Sequence, residues 1–178
     1  MKKLRTYVRT GFTLTELMAV VIIIAILSGI AAGTYKKAVE RSRFNEGLTE
    51  ATTIMEAVDR YFYDNPMAFQ STGTNRPKLS QLDIALENQK PCLGTTLQYC
   101  AKTKYFKITF TEQAYTEAER TTGDYKIRVY SSAFGGNTRK EPDCYAVNQV
   151  GKNMCVSMGY TNNCNAVPAV CSKPNVGQ

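Results

Sequence analysis

MKKLRTYVRTGFTLTELMAVVIIIAILSGIAAGTY, residues 1–35, is the stretch that decides the fold. Lys2, Lys3, Arg5 and Arg9 precede an apolar run of eleven residues, Leu17 to Leu27, and no charge appears from Leu17 to Tyr35. As a helix rising ~1.5 Å per residue, Phe12 to Tyr35 spans roughly 36 Å, enough to cross a ~30 Å hydrocarbon layer with some tilt. Cations on the N-terminal side stay cytoplasmic, which carries the rest of the chain across the membrane. Four of the seven net positive charges sit in this tail, so the basic balance is not a property of the remainder.

An ordinary signal peptide, a plain single-pass anchor and a buried core helix all compete for this pattern. Small residues close the run (Ser28, Gly29, Ala31, Ala32, Gly33), as at a leader-peptidase site. The flanking cations disfavour a core helix. Glu16 separates the remaining readings. An ionised carboxylate beside an apolar run costs ~2.5–3.5 kcal/mol on insertion scales, and neither a discarded leader nor a passive anchor needs it. A cut between Gly11 and Phe12 would create an amino terminus four residues from Glu16, about one helical turn. A neighbouring chain displaced by that amount would bring its ammonium to this carboxylate. Pairing then satisfies two charges that hydrocarbon would otherwise penalise, and sets register between parallel helices.

Gly11-Phe12-Thr13-Leu14-Thr15-Glu16 followed by LMAVVIIIAIL resembles the prepilin leader motif of type IV pilins and type II secretion pseudopilins. The resemblance implies cleavage after Gly11 by a prepilin peptidase and N-methylation of Phe12, with Glu16 serving subunit docking. It covers about twenty-five residues and departs in one respect. Many pilins carry a helix-loosening proline where Gly33 stands here. Gly29 and Gly33 each weaken a helix by ~1 kcal/mol relative to alanine.

Beyond Tyr35 the pattern becomes striped. Phe44, Leu48, Ala51, Met55, Val58 and Phe62 recur at spacings of four and three, one face of an α-helix. Charges occupy the other faces, with Lys36–Glu40 and Glu56–Arg60 as favourable four-residue pairs. Pro66 biases Asn65 away from helix, so one helix is expected from about Thr13 to Asp64, near 78 Å. Its second half packs on the segments that follow. Its first half has no such cover within one chain, and in a fibre only copies of itself could bury it.

Residues 64–103 read as a connector punctuated by Asn65-Pro66, Gly73, Asn75 and Pro77, with a short helix expected at Ser80–Leu86, capped by Ser80 and Asp83. Strand alternation marks Tyr105–Phe110 and Asp124–Ser131, separated by polar residues 112–123. Tyr145–Val150 and Met154–Met158 read as a hairpin about Gly151-Lys152-Asn153, and the tail from Gly159 has loop composition. The expected fold class is α+β, a long helix on an antiparallel sheet of about four strands with a disulfide-rich C-terminal region.

Cys92, Cys100, Cys144, Cys155, Cys164 and Cys171 lie in the second half, even in number, with no CxxC pair and no histidine in the chain. That favours a disulfide framework made in an oxidising compartment over a metal site, and no cofactor is expected. Six cysteines allow fifteen pairings. Neighbour pairing, Cys92–Cys100, Cys144–Cys155 and Cys164–Cys171, is the expectation adopted. Without histidine, a nucleophile elbow or a phosphate loop, no catalytic residue is nominated and the chain reads as no enzyme. Lys102, Lys104 and Lys107 alternate with Tyr99, Tyr105 and Phe106 as nucleic-acid surfaces do. A solvated strand face with half its aromatics in the core explains them better. Arg139-Lys140 after Gly135-Gly136 reads as an exposed turn.

The organisation expected is a cleaved leader at 1–11, a membrane and filament-core helix at 12–35, its amphipathic continuation at 36–64 and a head at 65–178. The function expected is a structural subunit of a type IV pilus-like filament. Its partners would be its own copies and other pilins in a helical polymer, a prepilin peptidase, inner-membrane assembly machinery and, before assembly, membrane lipid. The inner membrane with a periplasmic head, then an extracellular pilus or a periplasmic pseudopilus, is the expected location. A type II secretion pseudopilin, a minor pilin, and a secreted disulfide-rich binding domain with an ordinary signal peptide are the alternatives. No acidic calcium-loop pattern of the kind many pseudopilins carry is evident near the C terminus.

Overall fold

The computed structural model describes residues 11–65, 77–85, 90–91, 100–110, 115–131 and 141–174. The chain forms two compact units, Met1–Glu40 and Arg41–Gln178. One helix, α1 (Leu14–Asp64), contributes to both. Pro66, the terminator expected for this helix, lies outside the described residues.

In the first unit, α1 starts behind Thr13 and runs without a buried residue, carrying exposed Leu17, Ile22, Ile24, Leu27 and Ile30 among others. Ser28 Oγ returns a hydrogen bond to the Ile24 carbonyl at 2.7 Å and Thr34 Oγ1 to that of Ala31 at 2.9 Å, so both hydroxyls are satisfied within the helix. A membrane-length apolar segment with no internal cover needs that satisfaction, because hydrocarbon offers no partners.

In the second unit, α1 from Arg41 onward buries Phe44, Gly47, Ala51, Ile54, Met55, Ala57, Val58, Asp59 and Phe62. Five of the six residues of the sequence stripe are among them and Leu48 is partly buried against the same core. This face packs on an antiparallel sheet whose strands follow chain order: β1 (Lys90–Pro91), β2 (Cys100–Lys102), β3 (Phe106–Phe110), β4 (Tyr115–Arg120), β5 (Tyr125–Tyr130), β6 (Asp143–Ala146) and β7 (Ala169–Cys171). Phe106, Ile108 and Phe110 from β3, Thr116 and Ala118 from β4, and Tyr125, Ile127 and Val129 from β5 point at the helix. The fold is α+β, as the sequence implies.

Among the described residues the sheet has seven strands where the sequence suggests about four. Polar residues 112–123 conceal β4, whose outward Glu117 and Glu119 lie opposite Thr109 and Lys107 of β3 and opposite Arg128 and Lys126 of β5. Thr116 and Ala118, inward on the same strand, are small and leave no apolar signal. The loop-like tail supplies β7, paired with β6 from Cys144↔Cys171 to Ala146↔Ala169.

The expected hairpin at 145–158 is instead strand and helix. β6 ends at Ala146, and Gln149–Ser157 forms α2. Asn148 caps it, its side chain accepting from Gly151 N at 2.9 Å while donating to Asp124 Oδ1 at 2.8 Å. Cys144–Cys155 therefore ties a strand to a helix instead of stapling a hairpin. The helix expected at Ser80–Leu86 shrinks to a 3₁₀ turn, Leu79–Gln81. Asp83 does not cap it, because both carboxylate oxygens engage Arg60 at 2.8 and 2.9 Å.

Candidate assembly site

The helix start is built by four residues. Thr13 Oγ1 accepts from Glu16 N at 3.3 Å, while Glu16 Oε2 accepts from Thr13 N at 2.9 Å and from Thr13 Oγ1 at 2.7 Å. This reciprocal arrangement satisfies two backbone donors that the first turn leaves without helical partners. Its signature is Thr13-Leu14-Thr15-Glu16 ahead of an apolar run, a sequence signal that treating Glu16 only as a docking charge misses. Glu16 is held by its own chain. All of its contacts to Thr13 side-chain and backbone donors fall on Oε2.

Gly11, Phe12 and Thr13 precede the helix in non-helical backbone. Phe12 is 87% exposed, and nothing lies within 4 Å of where a Cβ on Gly11 would stand. Among the described residues nothing crowds the Gly11–Phe12 peptide, and Phe12 stands four residues before Glu16. Gly29 and Gly33 are helical, and a Cβ at either position would likewise meet nothing within 4 Å.

In the second unit, Cys144 bonds Cys155 and Cys164 bonds Cys171. Cys100 is also disulfide-bonded, and Cys92 lies outside the described residues. The cation–aromatic run seen in the sequence does not stay together. Phe106 is fully buried in the core, Lys107 faces outward opposite Glu119, and Tyr99 lies outside the described residues, as do residues 135–140. Tyr105 and Lys104 are instead joined by Arg43 of α1 and Arg120 of β4, two residues with no sequence signal linking them to that turn.

A family model described as the prokaryotic N-terminal methylation motif matches residues 8–32. No curated protein and no solved structure matches the chain. Residues 8–32 thus carry a prepilin-type methylation motif, consistent with the type IV pilin and pseudopilin family. The motif supports a precursor of pilin or pseudopilin type, a class of structural subunits, and with the membrane-length apolar helix it fits a membrane-anchored precursor.

Proposed function

We propose that the chain is a structural subunit of a type IV pilus-like filament, cleaved after Gly11, N-methylated at Phe12 and assembled through α1. The observation that carries this reading is Glu16, a carboxylate at the head of the uncharged run Leu17–Tyr35 and four residues after Phe12, inside the matched motif. Hydrocarbon penalises the charge unless a partner is supplied. The cap to Thr13 holds Oε2, and the terminal ammonium of an adjacent mature subunit would meet the carboxylate from outside. The exposed apolar surface from Leu17 to Tyr35 would then be covered by copies of the same helix.

In this reading a prepilin peptidase processes the precursor, inner-membrane machinery extracts it, and other pilins join the polymer. The head stands in the periplasm before assembly and on the fibre surface afterwards. A pseudopilin or minor-pilin role shares every one of these steps and differs in the fibre's length and place. Disulfides in the C-terminal region suit a surface exposed to shear and proteases, which favours the pilus.

Mass spectrometry of the mature chain tests the proposal. A start at methylated Phe12 supports it, whereas a start near Gly33 marks an ordinary signal peptide and a secreted domain. Glu16→Ala should insert in the membrane normally while filament yield collapses. Filaments at normal yield from that variant would remove the docking role.

A further inference from the structure

Thr13 does more at the head of α1 than hold Glu16, because it fixes where the helix begins. Its carbonyl accepts the first helical bond, from Leu17 N at 3.3 Å, while its own backbone is not helical. That combination defines an N-cap residue. A hydroxyl carries one proton, and that of Thr13 goes to Glu16 Oε2 at 2.7 Å. The 3.1 Å contact between the Thr13 and Thr15 hydroxyls therefore has Thr15 as donor. With Glu16 N also donating at 3.3 Å, the Thr13 oxygen has two donors and one acceptor, its full complement. Gly11 and Phe12 lie on the non-helical side of this stop.

Without the cap, the sequence offers an earlier start. Thr10 is the next residue upstream with a capping side chain. A helix begun there would take Gly11, Phe12 and Thr13 into its first turn, and no proline stands in the way. Proteolysis acts on backbone that is open, and its rate follows the open population when opening is fast. A helix start three residues earlier would thus close the bond that leader removal has to cut.

We infer that Thr13 is a positioning residue for leader removal: its cap stops α1 short of the Gly11–Phe12 peptide and keeps that bond out of the helix for a prepilin peptidase. This rests on the reading of a precursor cut after Gly11. The step is a hydrolysis, in which water adds across the bond between the Gly11 carbonyl carbon and the Phe12 nitrogen. It leaves a Gly11 carboxylate and a Phe12 amine, which takes up the proton. The Thr13 hydroxyl, engaged with Glu16 and Thr15, acts only through the backbone it holds.

The full precursor in phospholipid vesicles, mixed with a purified prepilin peptidase, tests the inference through the rate of leader release. Carbon-13 labels at Gly11 and Phe12 report the backbone of the same samples before the enzyme is added. Thr13→Ala should slow release by about fivefold, the population change that loss of one cap brings, and move both Cα shifts toward helix. Thr13→Ser, which restores the hydroxyl, should return rate and shifts to those of the unaltered chain. Release from Thr13→Ala at the unaltered rate overturns the positioning role and leaves the cut after Gly11 standing. Slow release with unmoved shifts also overturns it, since the enzyme would then be reading the side chain directly. An unaltered chain that is not cut between Gly11 and Phe12 overturns both this inference and the function proposed above.

Discussion

The tip of the Phe106 ring is aimed at Gly47, with Cζ 2.5 Å and both Cε atoms 2.7 Å from where a Cβ on that residue would stand. Helix and sheet meet there through a gap that only hydrogen fills, and Phe106 in turn sets its edge against Tyr125, ring centroids 6.3 Å apart. Alanine favours helix over glycine by ~1 kcal/mol. Overpacking a core costs ~1–3 kcal/mol, and this greater cost decides the sign. Gly47→Ala should therefore lower the urea midpoint of the head, while Gly33→Ala, which meets nothing within 4 Å, should leave it unchanged. A stabilised Gly47→Ala variant would show that the ring moves aside at little cost.

The Cys144–Cys155 bond joins β6 to α2 across eleven positions. Closing a loop of that size stabilises a fold by about 2–4 kcal/mol, chiefly through the unfolded chain. Replacing both cysteines by alanine should lower stability by that amount and speed amide exchange throughout α2. The Cys164–Cys171 loop is shorter, at seven positions, and its removal should cost slightly less. Unchanged exchange in α2 would mean that its packing, with Gly151 against the Asp124 carbonyl, holds it without the bond.

Tyr160 is buried beside Phe44, and its hydroxyl has no hydrogen-bond partner among the described residues. Burial, with the charges of Glu141 and Asp143, pushes its phenol up to about 12. A tyrosine titrating near 10 when unfolded and near 12 when folded keeps its full contribution below about pH 10. Between those values the folded state holds the extra proton, so stability falls as pH rises, by roughly 2–3 kcal/mol in all. Denaturant titrations across that window should show the slope. Tyr160→Phe should remove it and cost little at neutral pH, since the lost hydroxyl leaves no group unsatisfied.

Two carboxylates with similar-looking ion pairs should behave differently. Asp83 meets Arg60 with side chains 60% and 50% exposed, and the hydrogen bond from Arg60 holds its carboxyl below the usual range. Such a depressed group stabilises above the usual carboxylate range and loses its contribution as pH falls through its folded value, but water and salt screen it. Asp83→Asn should leave the unfolding midpoint within error. Glu117 is 13% exposed and takes both Lys126 Nζ and Arg128 Nε at 2.9 Å. Glu117→Gln should lower stability by about 1–3 kcal/mol at neutral pH, because Lys126 and Arg128 lose the counter-charge they share on the sheet face. Equal effects from the two substitutions would show that exposure does not rank these pairs.

What sequence alone determined here is local and periodic. A charge-free run of membrane length, a 3.6-residue stripe from Phe44 to Phe62 and the Thr13–Glu16 spacing are properties of neighbouring residues, and each is present in α1 or at its start. The alternations at Phe106–Phe110 and Tyr125–Tyr130 are equally local. Elements with weak local signals were decided only by tertiary contact. β4 exists because Glu117 and Glu119 find cations on flanking strands and Thr116 and Ala118 fit beneath α1. α2 exists because Asn148 reaches Asp124, Gly151 permits close approach and Cys155 meets Cys144, three contacts with distant or turn residues that no period records. Arg43 and Arg120 came to Tyr105 for the same reason, since positions far apart in the chain become neighbours only when helix and sheet close on a common core.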